Sequence, residues 1–268
     1  IASLREFMAW VSESEKLDGI SLDHYSFEAT RALYSAGYID EALARAKELA
    51  LSNPSGKNSV GAASLVVDTW IARKRLDRIE AEAREFAAVS GWASKSFAQA
   101  MMVRAAASKF KRAEMAFAAR DYSNAGTQAR EFRKSYPKSN LSLDAMGIAC
   151  NSDLSMGAQD EAVECFQELA AEFPKTKAAV QALRSVARIE DDRLHFAAAS
   201  AAYARYLAIA RSGMSPAESY AVRKRILLLA RAEGDSPKLV AVSSGKIYSA
   251  PRLEKECESN LALAALIR

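Results

Sequence analysis

The chain is poor in the residues that punctuate sheets, staple small domains or hold metals. Only 6 of its 268 residues are proline and 11 are glycine, which leaves long uninterrupted stretches. Three cysteines, Cys150, Cys165 and Cys257, match no metal-ligand spacing, and the two histidines, His24 and His195, lie far apart. Neither a metal nor a cofactor is expected. Nowhere do 18 apolar residues run together, so no membrane-spanning helix is expected. A Gly-rich phosphate loop, a His-Glu pair and a serine elbow are all lacking, which argues against an enzyme. Strong charge of one sign is lacking too. The formal net charge of +4 comes from basic residues mixed with acidic ones. Arg73-Lys74-Arg75 and Arg223-Lys224-Arg225 are short runs without the interleaved aromatics of a nucleic-acid surface, so no nucleic-acid partner is expected. The first residue is Ile1 rather than methionine, which suggests a processed or excised piece.

What is present is alanine-rich and helical in period. Half of the residues are hydrophobic and 26% are charged, the balance of an ordinary soluble protein. Clusters such as Ala105-Ala106-Ala107 and Ala197-Ala198-Ala199 favour closely packed helices, so the expected fold class is all-α. The clearest stretch is Leu143 to Pro174. It reads as two helices joined at Met156-Gly157-Ala158-Gln159, with Ala162, Phe166 and Leu169 on one face of the second and Pro174 ending it. Cys150 and Cys165 sit on these two antiparallel helices. They form either a disulfide, in an oxidising compartment, or two inert buried thiols.

One hairpin cannot bury its own apolar face, and the chain repeats it. The small or apolar residues that open the second helices stand at 42, 79, 125, 162, 199 and 239, at intervals of 37, 46, 37, 37 and 40. The expected organisation is an amphipathic helix over 1–21, an array over 22–250, and a helix over 251–268 that starts a further repeat or docks elsewhere. Units fall near 22–56, 57–91, 103–139, 140–176, 177–213 and 217–250. Trp92 to Met102 is the main irregularity. Phe97, Met101, Met102 and Val103 read as core rather than a cofactor box.

The repeat resembles the tetratricopeptide repeat (TPR) family. The residues that carry the resemblance are Gly37-Tyr38 with Asp40-Glu41-Ala42 and Pro54, Asp121-Tyr122 with Ala125, Phe132 and Pro137, and Gly157 with Asp160-Glu161-Ala162, Phe166 and Pro174. It extends over about residues 22 to 250 and departs from the family in its longer period and in lacking the early tryptophan. The phrases at Phe132–Ser139 and Glu172–Thr176 are similar to those of bacterial cell-envelope members, of the outer-membrane assembly lipoprotein and periplasmic cell-division coordinator type.

This resemblance implies an α-solenoid of five to six hairpins, a right-handed superhelix whose first helices line a concave groove. By the family's geometry the groove positions are Phe27, Arg31, Tyr34, Asp68, Phe110, Glu114, Phe117, Asn151, Arg184, Arg188, Lys224 and Arg231. Aromatics cluster early and cations late. The late cations suit the carboxylates of an acidic or C-terminal peptide segment, unless Asp191, Asp192 and Glu218 pair them off. Asn151 falls where peptide-clamping members place an asparagine, but the lysine that accompanies it there is Gly147 here. The implied function is a protein-binding scaffold of the periplasm or cell envelope, with the cytoplasm as the other compartment. Two other readings stand beside it: an architectural piece of a longer solenoid, and a polysaccharide-binding scaffold using Phe27, Tyr34, Phe110 and Phe117.

Overall fold

The computed structural model describes residue 6, residues 22–210 and residues 213–234. Apart from residue 6, the helices expected over 1–21 and 251–268 lie outside these, as does the second helix of the last unit, expected to open at 239. Eleven α-helices and no strand occur among the described residues. They are α1 Leu22–Ser35, α2 Ile39–Ser52, α3 Ser59–Ala72, α4 Leu76–Ala88, α5 Phe97–Ala118, α6 Tyr122–Ser135, α7 Ser142–Ser155, α8 Gln159–Glu172, α9 Lys177–Asp192, α10 Phe196–Ala210 and α11 Pro216–Glu233. The fold is an all-α array of helical hairpins in which consecutive helices pack together.

The hairpins share one backbone device. Five turns each contain one residue in the left-handed region, at Gly37, Lys74, Arg120, Gly157 and Leu194, with φ between 54° and 86°. Each is followed by a residue whose N–H donates five positions back, as Tyr38 does to Leu33, Arg75 to Trp70, Asp121 to Ala116, Ala158 to Asp153 and His195 to Glu190. This is the Schellman closure of the first helix. The carbonyl of that same residue then accepts from the N–H four positions on, at Ala42, Ile79, Ala125, Ala162 and Ala199, starting the second helix. Gly234 repeats the left-handed conformation at the end of α11. The six positions 37, 74, 120, 157, 194 and 234 therefore keep the intervals read from the sequence.

Each second helix drives one bulky side chain into the core two turns after it starts: Leu49, Phe86, Phe132, Leu169 and Tyr206 are all buried. Small residues let neighbouring helices approach. A Cβ on Gly126 of α6 would come within 3.2 Å of Ser152 Cβ on α7.

The described residues divide into two compact units. One runs to Met115 and takes in Glu131–Leu141; the other holds Ala116–Arg130 and resumes at Ser142. In the first, the irregular stretch is shorter than expected. It ends at Ser96, and α5 starts at Phe97 to run for 22 residues. Trp92 is buried against Phe86 and Phe97, with ring centroids 6.1 and 4.5 Å away, and donates from Nε1 to the Phe86 carbonyl at 3.0 Å. That aromatic contact anchors the start of α5 and turns Phe97 and Met101 inward. Met102 and Val103 are not core: they lie on the outer face, 39% and 58% exposed. Phe97 and Met101 stand one turn apart on the same face, and successive helix positions are about 100° apart, so 102 and 103 turn away from it.

In the second unit a continuous core runs through α7 to α11, from Met146 and Cys150 through Phe166, Leu183 and Val186 to Tyr206, Ile226 and Leu227. Cys150 and Cys165 form a disulfide joining α7 to α8, with Cα atoms 5.2 Å apart. Thr176 and Ser215 cap α9 and α11, their hydroxyls accepting from Ala179 and Glu218 N–H at 3.2 Å.

Candidate functional site

In the second unit, the first helices of two successive hairpins, α7 and α9, face each other across a cleft floored by α8. Gly147 and Asn151 form one wall. Gln181, Arg184, Ser185 and Arg188 form the other, and Phe166 and Leu169 line the floor. The cavity measures about 420 Å³. Its shape follows from the sequence: Ala178 and Ala182 keep α9 thin at the floor, and Gly147 puts no side chain into the space opposite. Arg184 and Arg188 stand one turn apart, so both guanidiniums reach the same opening.

The polar groups are set unequally. Asn151 donates from Nδ2 to the Gly147 carbonyl at 2.7 Å, which fixes its amide and leaves Oδ1 and a second N–H for a ligand. Arg184 lies 3.6 Å from Glu218, whose carboxylate also accepts from Tyr206 OH at 3.0 Å. That carboxylate and burial both raise the Tyr206 pKa, with burial the larger cause. Arg188 is exposed and makes no ion pair among the described residues. No carboxylate lines the cleft itself, so the opening is cationic above an apolar floor. Such a combination holds a carboxylate by forked hydrogen bonds and an adjacent apolar side chain by burial.

The neighbouring acids are spoken for. Asp191 is bound in a fork by Arg225 Nε and Nη2 at 2.7 and 2.5 Å, which raises the Arg225 pKa, and it also accepts from Tyr203 OH at 3.3 Å. His195 Nδ1 lies 2.7 Å from Glu190 Oε2, at the turn into α10. These contacts tie α9 to α10 and α11 and leave Arg188 unneutralised. Arg225, absent from the sequence-derived groove, is the cation that Asp191 selects.

Of the twelve groove positions, three converge here: Asn151, Arg184 and Arg188. Lys224 and Arg231 do not line the cleft. The early positions are used for packing and local pairing. Phe110 is a correction: it is core, edge-on to Phe132 at 5.6 Å, because the bulky residue of α6 needs a partner. Phe117 packs edge-on against Tyr122 across its own turn, at 5.4 Å. Phe27 is half-buried against Gly61, where a Cβ would lie 3.1 Å from its ring. The Tyr34 hydroxyl meets Thr69 Oγ1 at 3.2 Å. Arg31 pairs with Glu28, Asp68 with Arg104 and Glu114 with Lys111, at 3.0, 2.7 and 2.9 Å. Each of the four rings named for a sugar is thus engaged in a contact within its own unit. Gln181, Ser185 and the α8 floor were missed, although extending the helical stripe through Arg184 and Arg188 points to positions 181 and 185.

No family model matches the chain, and no curated protein matches it. Among solved structures, it is similar to the nearly identical TPR-like repeats of a protein described as a kinesin light chain from Podosopora anserina. Identity is 14%, over 72% of this chain and 97% of that one, with a TM-score of 0.34. A point variant of the same protein gives 13% identity over 75% and 100%, with a TM-score of 0.35. Both are remote likenesses.

Proposed function

We propose that this chain is a non-enzymatic scaffold that captures a protein segment in the α7–α8–α9 cleft. Its ligand is an acidic peptide carrying one large apolar side chain next to a carboxylate. The observation that carries this reading is the joint placement of Arg188, Arg184 and Asn151 around an apolar floor with no lining carboxylate. The carboxylate is held by the guanidiniums and the Asn151 amide, and the apolar side chain covers Phe166 and Leu169. Rigid helices supply the geometry, so little ordering is needed on the scaffold's side.

The role extends, in this proposal, to an assembly of the bacterial envelope. Two features support that compartment: the Phe132–Ser139 and Glu172–Thr176 phrases, and a disulfide of the kind that persists under oxidising conditions.

The test is direct titration by fluorescence anisotropy with a labelled peptide bearing a Leu-Glu-Glu centre. Arg188→Glu is expected to weaken binding by more than about tenfold, since it replaces a charge-assisted bond with repulsion. Arg231→Glu, outside the cleft, is expected to leave affinity unchanged. Equal affinities for the wild-type and Arg188→Glu proteins would sink the proposal.

A further inference from the structure

The first unit carries a second concavity, of about 720 Å³, between α5 and the segment Ser135–Leu141 that ends α6 and continues beyond it. It belongs to none of the sequence-derived groove positions. One wall is a single stripe of α5, formed by Gln99, Met102, Val103, Ala106 and Ala107 at helical spacing. The hollow comes from the two alanines, and the rim from Met102 and Val103. Pro137 and Leu141 give the opposite wall its apolar surface, and Lys138 is the one charged residue lining the space. Lys134, in the last turn of α6, adds a second exposed cation just before that segment.

Met102 and Val103 are adjacent large apolar residues left in solvent while Phe97 and Met101 are buried on the same helix. A soluble surface ordinarily scatters such residues singly, so a pair beside a hollow marks a contact site. The segment length of α5 points the same way. At 22 residues it exceeds the 13 to 18 residues of the other ten described helices, and Met102 and Val103 lie in its second turn.

We propose that this concavity is a second docking site, for a short peptide segment of a partner protein in which two large apolar side chains adjoin an aspartate or glutamate. The volume accepts two such side chains. The walls hold no carboxylate and Lys138 is the charged residue among them, so charge selects an acidic rather than a basic neighbour. The site belongs to the first unit and its residues are separate from those of the cleft. The scaffold thus has two distinct contact surfaces.

The experiment pans random dodecapeptides displayed on phage against the full chain, then measures synthetic copies of the enriched sequences on variants. Enriched peptides are expected to share two large apolar residues beside an acid. They are expected to lose at least about tenfold in affinity on Val103→Asp and several-fold on Lys138→Glu, while Arg188→Glu leaves them unchanged. Val103 is 58% exposed, so its substitution spares the core. Ala107→Trp, which fills the hollow without adding charge, must give the same loss if Val103→Asp also perturbs folding. The proposal is overturned if no sequence is enriched, or if affinity is indifferent to both Val103→Asp and Ala107→Trp. It is overturned equally if Lys138→Glu has no effect, if Arg188→Glu removes the binding, or if sedimentation shows that Val103→Asp merely separates two copies of this chain.

Discussion

Leu194 occupies a left-handed turn position with φ of 62° and leaves 68% of its surface in solvent. An L-residue with a Cβ pays for that conformation, whereas Gly37 and Gly157 adopt it freely at the matching turns. Leu194→Gly is therefore expected to stabilise the protein by about 1 kcal/mol, read as a higher urea midpoint with unchanged slope; a lower midpoint would show that Leu194 makes a contact worth more than the strain. Tyr136 presents the opposite case of a residue that fits in shape but not in polarity. It is buried, and its hydroxyl has no hydrogen-bond partner among the described residues. Burial, with the nearby Glu80 carboxylate, pushes its pKa up to about 12. The raised value means that the folded state holds the proton more tightly than the unfolded chain does. The resulting stability is complete below about pH 10 and is lost as pH rises through 12. Tyr136→Phe is expected to leave stability at pH 7 unchanged or raised by about 1 kcal/mol, and to flatten its fall above pH 10. Parallel pH–melting curves for the two proteins would contradict this.

At the scale of the element, the disulfide between α7 and α8 closes a loop with a sequence separation of 15. Cys150 is fully buried and precedes Asn151, while Cys165 precedes Phe166, so the bond ties together the two helices that carry those lining residues. Replacing both cysteines by serine is expected to cost about 3 kcal/mol of unfolding free energy. Under denaturing, non-reducing conditions the wild-type chain should titrate a single thiol, that of Cys257; three thiols would show the bond to be absent. The pairing was legible only as one of two alternatives, because helical spacing placed both thiols on facing helices without saying whether their Cβ vectors meet. The turns were legible for a different reason. The residue opening each second helix stands five positions after the left-handed one, so a count on small or apolar residues carried the turn register even where Lys74, Arg120 and Leu194 hid it. What escaped was the start of α5. Nothing in residues 92–102 announces that Trp92 packs back on Phe86, and without that contact the boundary cannot be set.

For the whole molecule, sequence periodicity read the class and the hairpin order correctly, since burial of one face per helix is a local demand repeated along the chain. Groove chemistry was less legible. A first-helix position has two possible fates, packing on a neighbouring helix or facing the opening, and the choice turns on side chains distant in sequence. Gly61 draws in Phe27, Phe132 draws in Phe110, and Glu218 partly claims Arg184. Only where the partners are small, as at Gly147, Ala178 and Ala182, do the called residues stay open to a ligand. The distribution of cations follows the same logic: Asp191 takes Arg225 and leaves Arg188 alone.

The recurring turn has a consequence for how such a chain can vary. Because the five hairpin turns among the described residues close one helix and open the next with the same pair of backbone hydrogen bonds, those bonds do not depend on which side chains precede or follow the turn. Whole periods can then be gained or lost in evolution by recombination between two joints, with the seam already satisfied. The three intervals of 37 residues are the lengths such an exchange would move without changing the register, and the intervals of 46 and 40 are those that would change it.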